Sequence, residues 1–128
     1  MDLRAAPAIA LGGMAGAAAR WWLHDVWLGD STSWATLVVN AAGSALLGWL
    51  LAAGTGDSAI ARVVGAGFCG SFTTFSAFGL ITAEHLQSGR VGAGVLYAAA
   101  SLAAALATAL AAGWLRRRLR RLFHRAAT

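Results

Sequence analysis

Arg20, Asn40 and a scatter of hydroxyls stand out in long stretches of chain that are otherwise apolar. Thr36, Asn40 and Ser44 recur every four residues, which places them on one face of a helix. Thr73, Thr74 and Ser76 cluster within a few residues of each other, Tyr97 and Ser101 share a helical face, and Thr108 follows two turns on. A Ser or Thr within a helix often bonds to its own preceding turn. An Asn amide has no such local solution, and a guanidinium facing inward has still less.

Apart from Arg20 these groups are neutral, and most can donate a hydrogen bond. A path lined by donors and one Arg favours a small anion, whereas a cation path would need an acidic ring. Phe75 and Phe78, three residues apart, project to one side if the chain is helical there. Ring edges carry partial positive charge and can touch an anion without the full charge that would trap it. From composition alone, a packing seam is the commoner reason for two Phe at this spacing.

Catalysis finds little support. Glu84 is the sole Glu, and Cys69, the single cysteine, has no neighbouring His and reads as a packed small side chain. His24, His85 and His124 fall near the ends of apolar stretches without metal-ligand spacing. The glycine runs do not open a phosphate-binding loop after a strand. The residues therefore point away from an enzyme.

The elements that position these groups follow from hydropathy. The chain has 128 residues, 59% hydrophobic and 12% charged, and its mean hydropathy is +0.65. A soluble domain of this size exposes too much of its surface to hide such a composition; a bilayer accommodates it. Four transmembrane helices in a single domain are expected. The first apolar stretch begins at Pro7, a residue suited to a helix start, and predicts a helix over 7–25. The others are predicted over 34–53, 62–86 and 91–115, with a basic C-terminal tail over 116–128. Each approaches the ~20 residues that cross a hydrocarbon core. Strands are disfavoured because an open sheet leaves unpaired edges in lipid. The apolar start continues past Arg20 and reads as a mature segment, not a cleavable signal. Trp21, Trp22, Trp27, Trp34 and Trp114 fall at predicted span ends, as an interfacial belt requires.

The third stretch is unusual. Gly65, Gly67 and Gly70 precede the run Ser71-Phe72-Thr73-Thr74-Phe75-Ser76-Ala77-Phe78. Glycines, hydroxyls and β-branched residues weaken a helix. A break would free peptide groups at mid-membrane depth, where protein or a cavity must satisfy them, and broken helices build ion sites in transporters. A continuous helix packing its small face on a neighbour fits the pattern as well.

Three segments together resemble the CrcB/Fluc family of fluoride channels. Gly12-Gly13-Met14-Ala15-Gly16-Ala17, with Arg20 and Trp21, is similar to the family's opening motif. Thr36-Leu37-Val38-Val39-Asn40-Ala41-Ala42-Gly43-Ser44 is similar to its TLxVNxxGS element. Gly67-Phe68-Cys69-Gly70-Ser71-Phe72-Thr73-Thr74-Phe75-Ser76-Ala77-Phe78 is similar to its GFCGGxTTFSTF signature. The resemblance implies a passive, fluoride-selective channel in the cell (inner) membrane. It implies an all-α fold of four transmembrane helices with the third broken, assembled as an antiparallel, dual-topology dimer with two pores. It assigns Asn40, Phe75 and Phe78 to the fluoride pathway, with Ser76 between the rings, Thr36 on the asparagine's face, Tyr97 and Ser101 on a polar track, and Arg20 at a vestibule. It also implies a structural sodium ion at the dimer centre, held by the backbone carbonyls of Gly70 and Thr73 and their symmetry mates. A hard cation suits such oxygens without side-chain acids.

Three positions depart from the pattern. Ser71 replaces a Gly and would be strained in a left-handed conformation. Ala77 replaces a Thr, removing a hydroxyl, and Ile81 stands where many members carry Glu, with Glu84 one turn later.

The net charge is +5 from ten arginines and no lysine. Arg116, Arg117, Arg118, Arg120, Arg121 and Arg125 directly follow an apolar span, which suits anionic lipid headgroups rather than nucleic acid. With an even number of spans, Arg4, Arg62 and these six share one side, which the positive-inside rule turns to the cytoplasm. That bias suggests pairing with an oppositely oriented paralogue; a homodimer is simpler, because the chain keeps the main pore residues. A small dual-topology multidrug or cation transporter is the alternative, and it normally needs a membrane-embedded acid. A structural membrane subunit without transport is a third reading.

Overall fold

The structure, a computed structural model, describes residues 5–27, 33–54 and 58–126, with side chains described as far as Phe123. Arg4, the side chains of His124 and Arg125, and the middles of the first two connections lie outside the described residues. The described residues contain helices and turns, and no strand.

The elements are α1 (Ala6–Trp21), a π-helical turn (Trp22–Trp27), α2 (Ser33–Leu51), α3 (Ala59–Ala61), a π-helical segment (Arg62–Cys69), α4 (Gly70–Phe72), α5 (Phe75–Gln87) and α6 (Val91–Ala126). Three stretches are long and apolar enough to cross a membrane: Ser33–Leu51, Ala59–Gln87 and Val91–Phe123. The first helix is shorter, at 16 residues before the π-helical turn. That turn carries helical structure through Trp27, into residues expected to form a loop. The 116–128 tail is helical as far as Ala126, a direct continuation of α6.

Small residues set the packing. Gly12 and Gly16, one helical turn apart, lie against the backbone of Val63 and Phe68, and Gly67 lies against the carbonyl of Ile9. A Cβ at Gly16 or Gly67 would meet backbone, so α1 and the π-helical segment touch main chain to main chain. This close approach is how membrane helices associate without a hydrophobic drive.

Gly48 performs the same service between α2 and α6, where it faces the backbone of Ala109. These two helices run parallel in a fixed register. Thr108 Oγ1 donates to Ala41 O at 2.9 Å, Arg116 Nη1 to Trp49 O at 3.2 Å and Arg120 Nη1 to Ala53 O at 3.3 Å, each pair 67 residues apart. Arg116 satisfies a carbonyl of the last turn of α2, a recognised use of basic side chains, and Arg120 one in the turn that follows it.

The turn from α5 to α6 is a Schellman motif. Gly89 has φ +74°, its N–H reaches Leu86 O at 3.1 Å, and Arg90 N–H reaches His85 O at 2.9 Å. Glycine suits this left-handed position because it carries no Cβ. The tight turn folds α6 back along α5, with Gly94 against His85 and Leu86.

Candidate functional site

Between α4 and α5 the chain leaves the helical conformation for two residues. Thr73 has φ −77° and ψ 158°, and Thr74 has φ −140° and ψ 118°. Side chains compensate for the lost helical bonds. Asn40, on α2, binds both groups of one peptide residue: Thr74 N–H donates to Asn40 Oδ1 at 2.7 Å, and Asn40 Nδ2 donates to Thr74 O at 3.0 Å. This pairing also fixes which way the amide points, because only its oxygen can accept from an N–H. Thr74 Oγ1 then caps α5 by accepting from Ala77 N–H at 3.2 Å, and it contacts Ser76 Oγ at 3.2 Å.

Two carbonyls are affected. In a continuing α-helix, Gly70 O would accept from Thr74 N–H and Thr73 O from Ala77 N–H. Both N–H groups are instead given to side chains, those of Asn40 and Thr74. The oxygens of Gly70 and Thr73 thus lose their usual i+4 partners. Among the described residues no group of three His, Cys, Asp or Glu side chains could hold a metal. A cation at this point would depend on backbone oxygens, and these two carbonyls fit that chemistry.

Asn40, Ser44, Thr73, Thr74, Phe75, Phe78 and Ser101 face a cavity of about 300 Å³. Gly43 makes room for the extended segment: a Cβ there would meet Thr73 and Phe72 side chains. The rings of Phe75 and Phe78 lie 5.4 Å apart at 42°, and Phe78 stacks on Tyr97 at 6.0 Å. Phe75 is 80% exposed in the single chain. Tyr97 Oη and Ser101 Oγ are buried without a hydrogen-bond partner, although Tyr97 lies beside the hydroxyls of Ser101 and Thr36.

Arg20, Thr36, Ser76 and Tyr97 are not on the wall of this cavity. Thr36 is buried, and its hydroxyl meets His24 Nε2 at 3.2 Å; the other ring nitrogen of His24 meets Asp25 at 2.6 Å. Arg20 Nε donates to Ser71 O at 3.2 Å, tying α1 to α4. Ser71 is helical, so the left-handed strain considered for it does not arise; only Gly54 and Gly89 have positive φ among the described glycines. Thr108 is used between helices. The capping hydroxyl and peptide of Thr74, which complete the site, were visible in sequence only as one of a run of hydroxyls.

Residues 7–114 match the family described as "CrcB-like protein, Camphor Resistance (CrcB)". The chain belongs to the CrcB family. A relative from Haloarcula marismortui named "Fluoride-specific ion channel FluC 2" is 42% identical over 102 residues, which cover 79% of this chain and 84% of that protein. "Fluoride-specific ion channel FluC" of Oceanobacillus iheyensis is 36% identical over 100 residues, covering 73% and 77%. The protein of the same name from Novosphingobium aromaticivorans is 45% identical over 75 residues, covering 56% of this chain and 59% of that protein's length. Long apolar helices in a CrcB protein make this a multi-pass membrane protein of the cell membrane.

Proposed function

We propose that this CrcB protein is a fluoride-selective channel that lowers internal fluoride by passive export. The observation that carries the reading is the Asn40 amide locked on the Thr74 peptide beside the Phe75 and Phe78 rings. One Nδ2 hydrogen is spent on Thr74 O, so the other remains to be offered to an anion. The names of the relatives, which describe a fluoride channel and not an enzyme, support the same reading.

Fluoride is small and strongly hydrated, so the path must replace lost water with fixed donors. The Asn40 N–H, the hydroxyls of Ser76, Tyr97 and Ser101, and the positive ring edges of Phe75 and Phe78 supply them without a trapping charge. Thr36 adjoins this set through Tyr97, and Arg20 raises the local positive potential near Ser71. Protonated fluoride enters an acid-exposed cell and dissociates inside. The membrane potential then drives the anion out, worth about 2.3 kcal/mol per charge per 100 mV.

In this reading all four predicted helices span the bilayer, and the extended Thr73–Thr74 segment lies at its mid-depth as a break in the third. The channel is an antiparallel dimer, in which the exposed Phe75 ring meets the second subunit. A structural sodium ion would be held by the Gly70 and Thr73 carbonyls and would tie the subunits together there. Homodimerisation is the simpler assembly. The concentration of Arg at one end keeps open pairing with an oppositely oriented paralogue, and numbered relatives such as FluC 2 accord with multiple copies in one organism. The transporter alternative finds no embedded acid among the described residues: Asp25 and Glu84 are both exposed, near the ends of their helical segments.

Reconstituting the protein in liposomes loaded with fluoride or with chloride tests the proposal. Rapid fluoride efflux with chloride retained is expected; equal release of both, or none of either, rejects it.

A further inference from the structure

We infer that Trp114, Arg117, Arg118 and Arg121 form a binding site for the phosphate of an anionic phospholipid. The basic run divides into two faces with different work. Arg116 and Arg120, four residues apart, turn toward α2 and bind the carbonyls of Trp49 in its last turn and of Ala53 just past its end, and Arg116 also covers the Trp49 ring at 5.2 Å. Trp114, Arg117, Arg118 and Arg121 follow the spacing i, i+3, i+4, i+7 and so share the other stripe of the helix. They line a concavity of about 270 Å³. The Arg118 guanidinium sits over the Trp114 ring at 5.1 Å; Arg117 borders both faces, its Nη1 lying near Gly113 where Gly113 looks onto Gly48 O and Ala52. Three arginines and an indole thus line one hollow.

The level of the hollow decides between a lipid and a soluble anion. The uncharged part of α6, residues 91–115, measures about 37 Å at 1.5 Å per residue, enough to cross the ~30 Å hydrocarbon core. Arg116 and Arg120 pair with Trp49 and Ala53, where α2 ends. The hollow is therefore at the headgroup layer, where Trp is favoured, and Trp114 is 54% exposed there. Arg forks bind phosphate oxygens in pairs. The inference requires a membrane-spanning chain but not fluoride conduction, so the two stand or fall separately.

Charge-matched double variants test it. Phosphatidylglycerol and phosphatidylcholine are titrated onto the purified protein and bound lipid is counted by native mass spectrometry. Wild type should prefer phosphatidylglycerol. R118Q/R121Q should lower that affinity about 25-fold, about fivefold per arginine, with an unchanged melting temperature. R116Q/R120Q should change affinity less than about threefold and lower the melting temperature. Equal losses in the two variants would show a diffuse basic surface and overturn the site. Displacement of the lipid by excess inorganic phosphate would show a soluble-anion site, and equal binding of the two lipids by wild type would show no site at all; either result overturns the inference.

Discussion

Asn40 and Thr74, 34 residues apart, are joined by two hydrogen bonds of 2.7 and 3.0 Å between one side-chain amide and one residue's backbone. The pairing does two things at once. It satisfies peptide groups that an extended segment would leave bare in an apolar setting, where each unpaired group costs on the order of 1–3 kcal/mol. It also orients the amide, so that its second N–H is held in place before any ion arrives. In the proposed channel, stability and ion recognition therefore depend on the same side chain.

Phe75 separates the two more cleanly. Its ring is 80% exposed in the single chain, so Phe75→Ile should leave the protomer's helical content intact. If the ring edge contacts fluoride, efflux from liposomes should fall at least about tenfold, a loss of about 1.4 kcal/mol or more. Retention of wild-type efflux would remove Phe75 from the pathway.

Tyr97 offers an opposite pairing of effects. Its hydroxyl is buried beside those of Ser101 and Thr36 but makes no hydrogen bond of good geometry. Tyr97→Phe should raise stability or leave it unchanged, by about 1 kcal/mol at most, while slowing fluoride efflux several-fold. Thermal melts and flux assays on the same preparation measure both.

Gly48→Val probes the α2–α6 seam. A side chain there meets the backbone of Ala109, which cannot yield as a flexible side chain would. Overpacking of this kind typically costs about 1–3 kcal/mol, and the Thr108 to Ala41 bond lies in the same seam. A lowered melting temperature in detergent is expected.

Arg20→Gln removes the charge while keeping a side-chain donor for Ser71 O. Stability should fall by about 1 kcal/mol or less, and fluoride efflux should fall several-fold as the positive potential near the site is lost. Efflux measured at low and high ionic strength distinguishes the electrostatic part, because salt screens it.

Helical character and the apolar spans were legible in the sequence, because uncharged runs such as 34–53 leave few alternatives in lipid. Asn40 was legible too, as an amide that a helix cannot satisfy locally. Its partner was not: nothing local to Thr74 shows that a residue 34 positions earlier holds its peptide. The π-helical segment Arg62–Cys69 was also hidden, since over 8 residues its hydrophobic spacing resembles that of an α-helix. The run Arg116–Arg121 was read as one basic tail. Its division into a face that caps α2 and a face around Trp114 follows from helical spacing, but only once the helix is known to continue past Leu115.

The central claim is that the Asn40 amide, seated on the Thr74 peptide, presents the donor that selects fluoride. Asn40→Asp tests it most directly, because the new carboxylate can still accept from Thr74 N–H but offers no N–H to an anion and repels it. The measurement is fluoride efflux from liposomes, with folding checked by size-exclusion profile. A folded protein whose efflux falls by about a hundredfold or more, as expected on losing a preorganised donor, is predicted. A folded variant that conducts fluoride like the wild type would contradict the account.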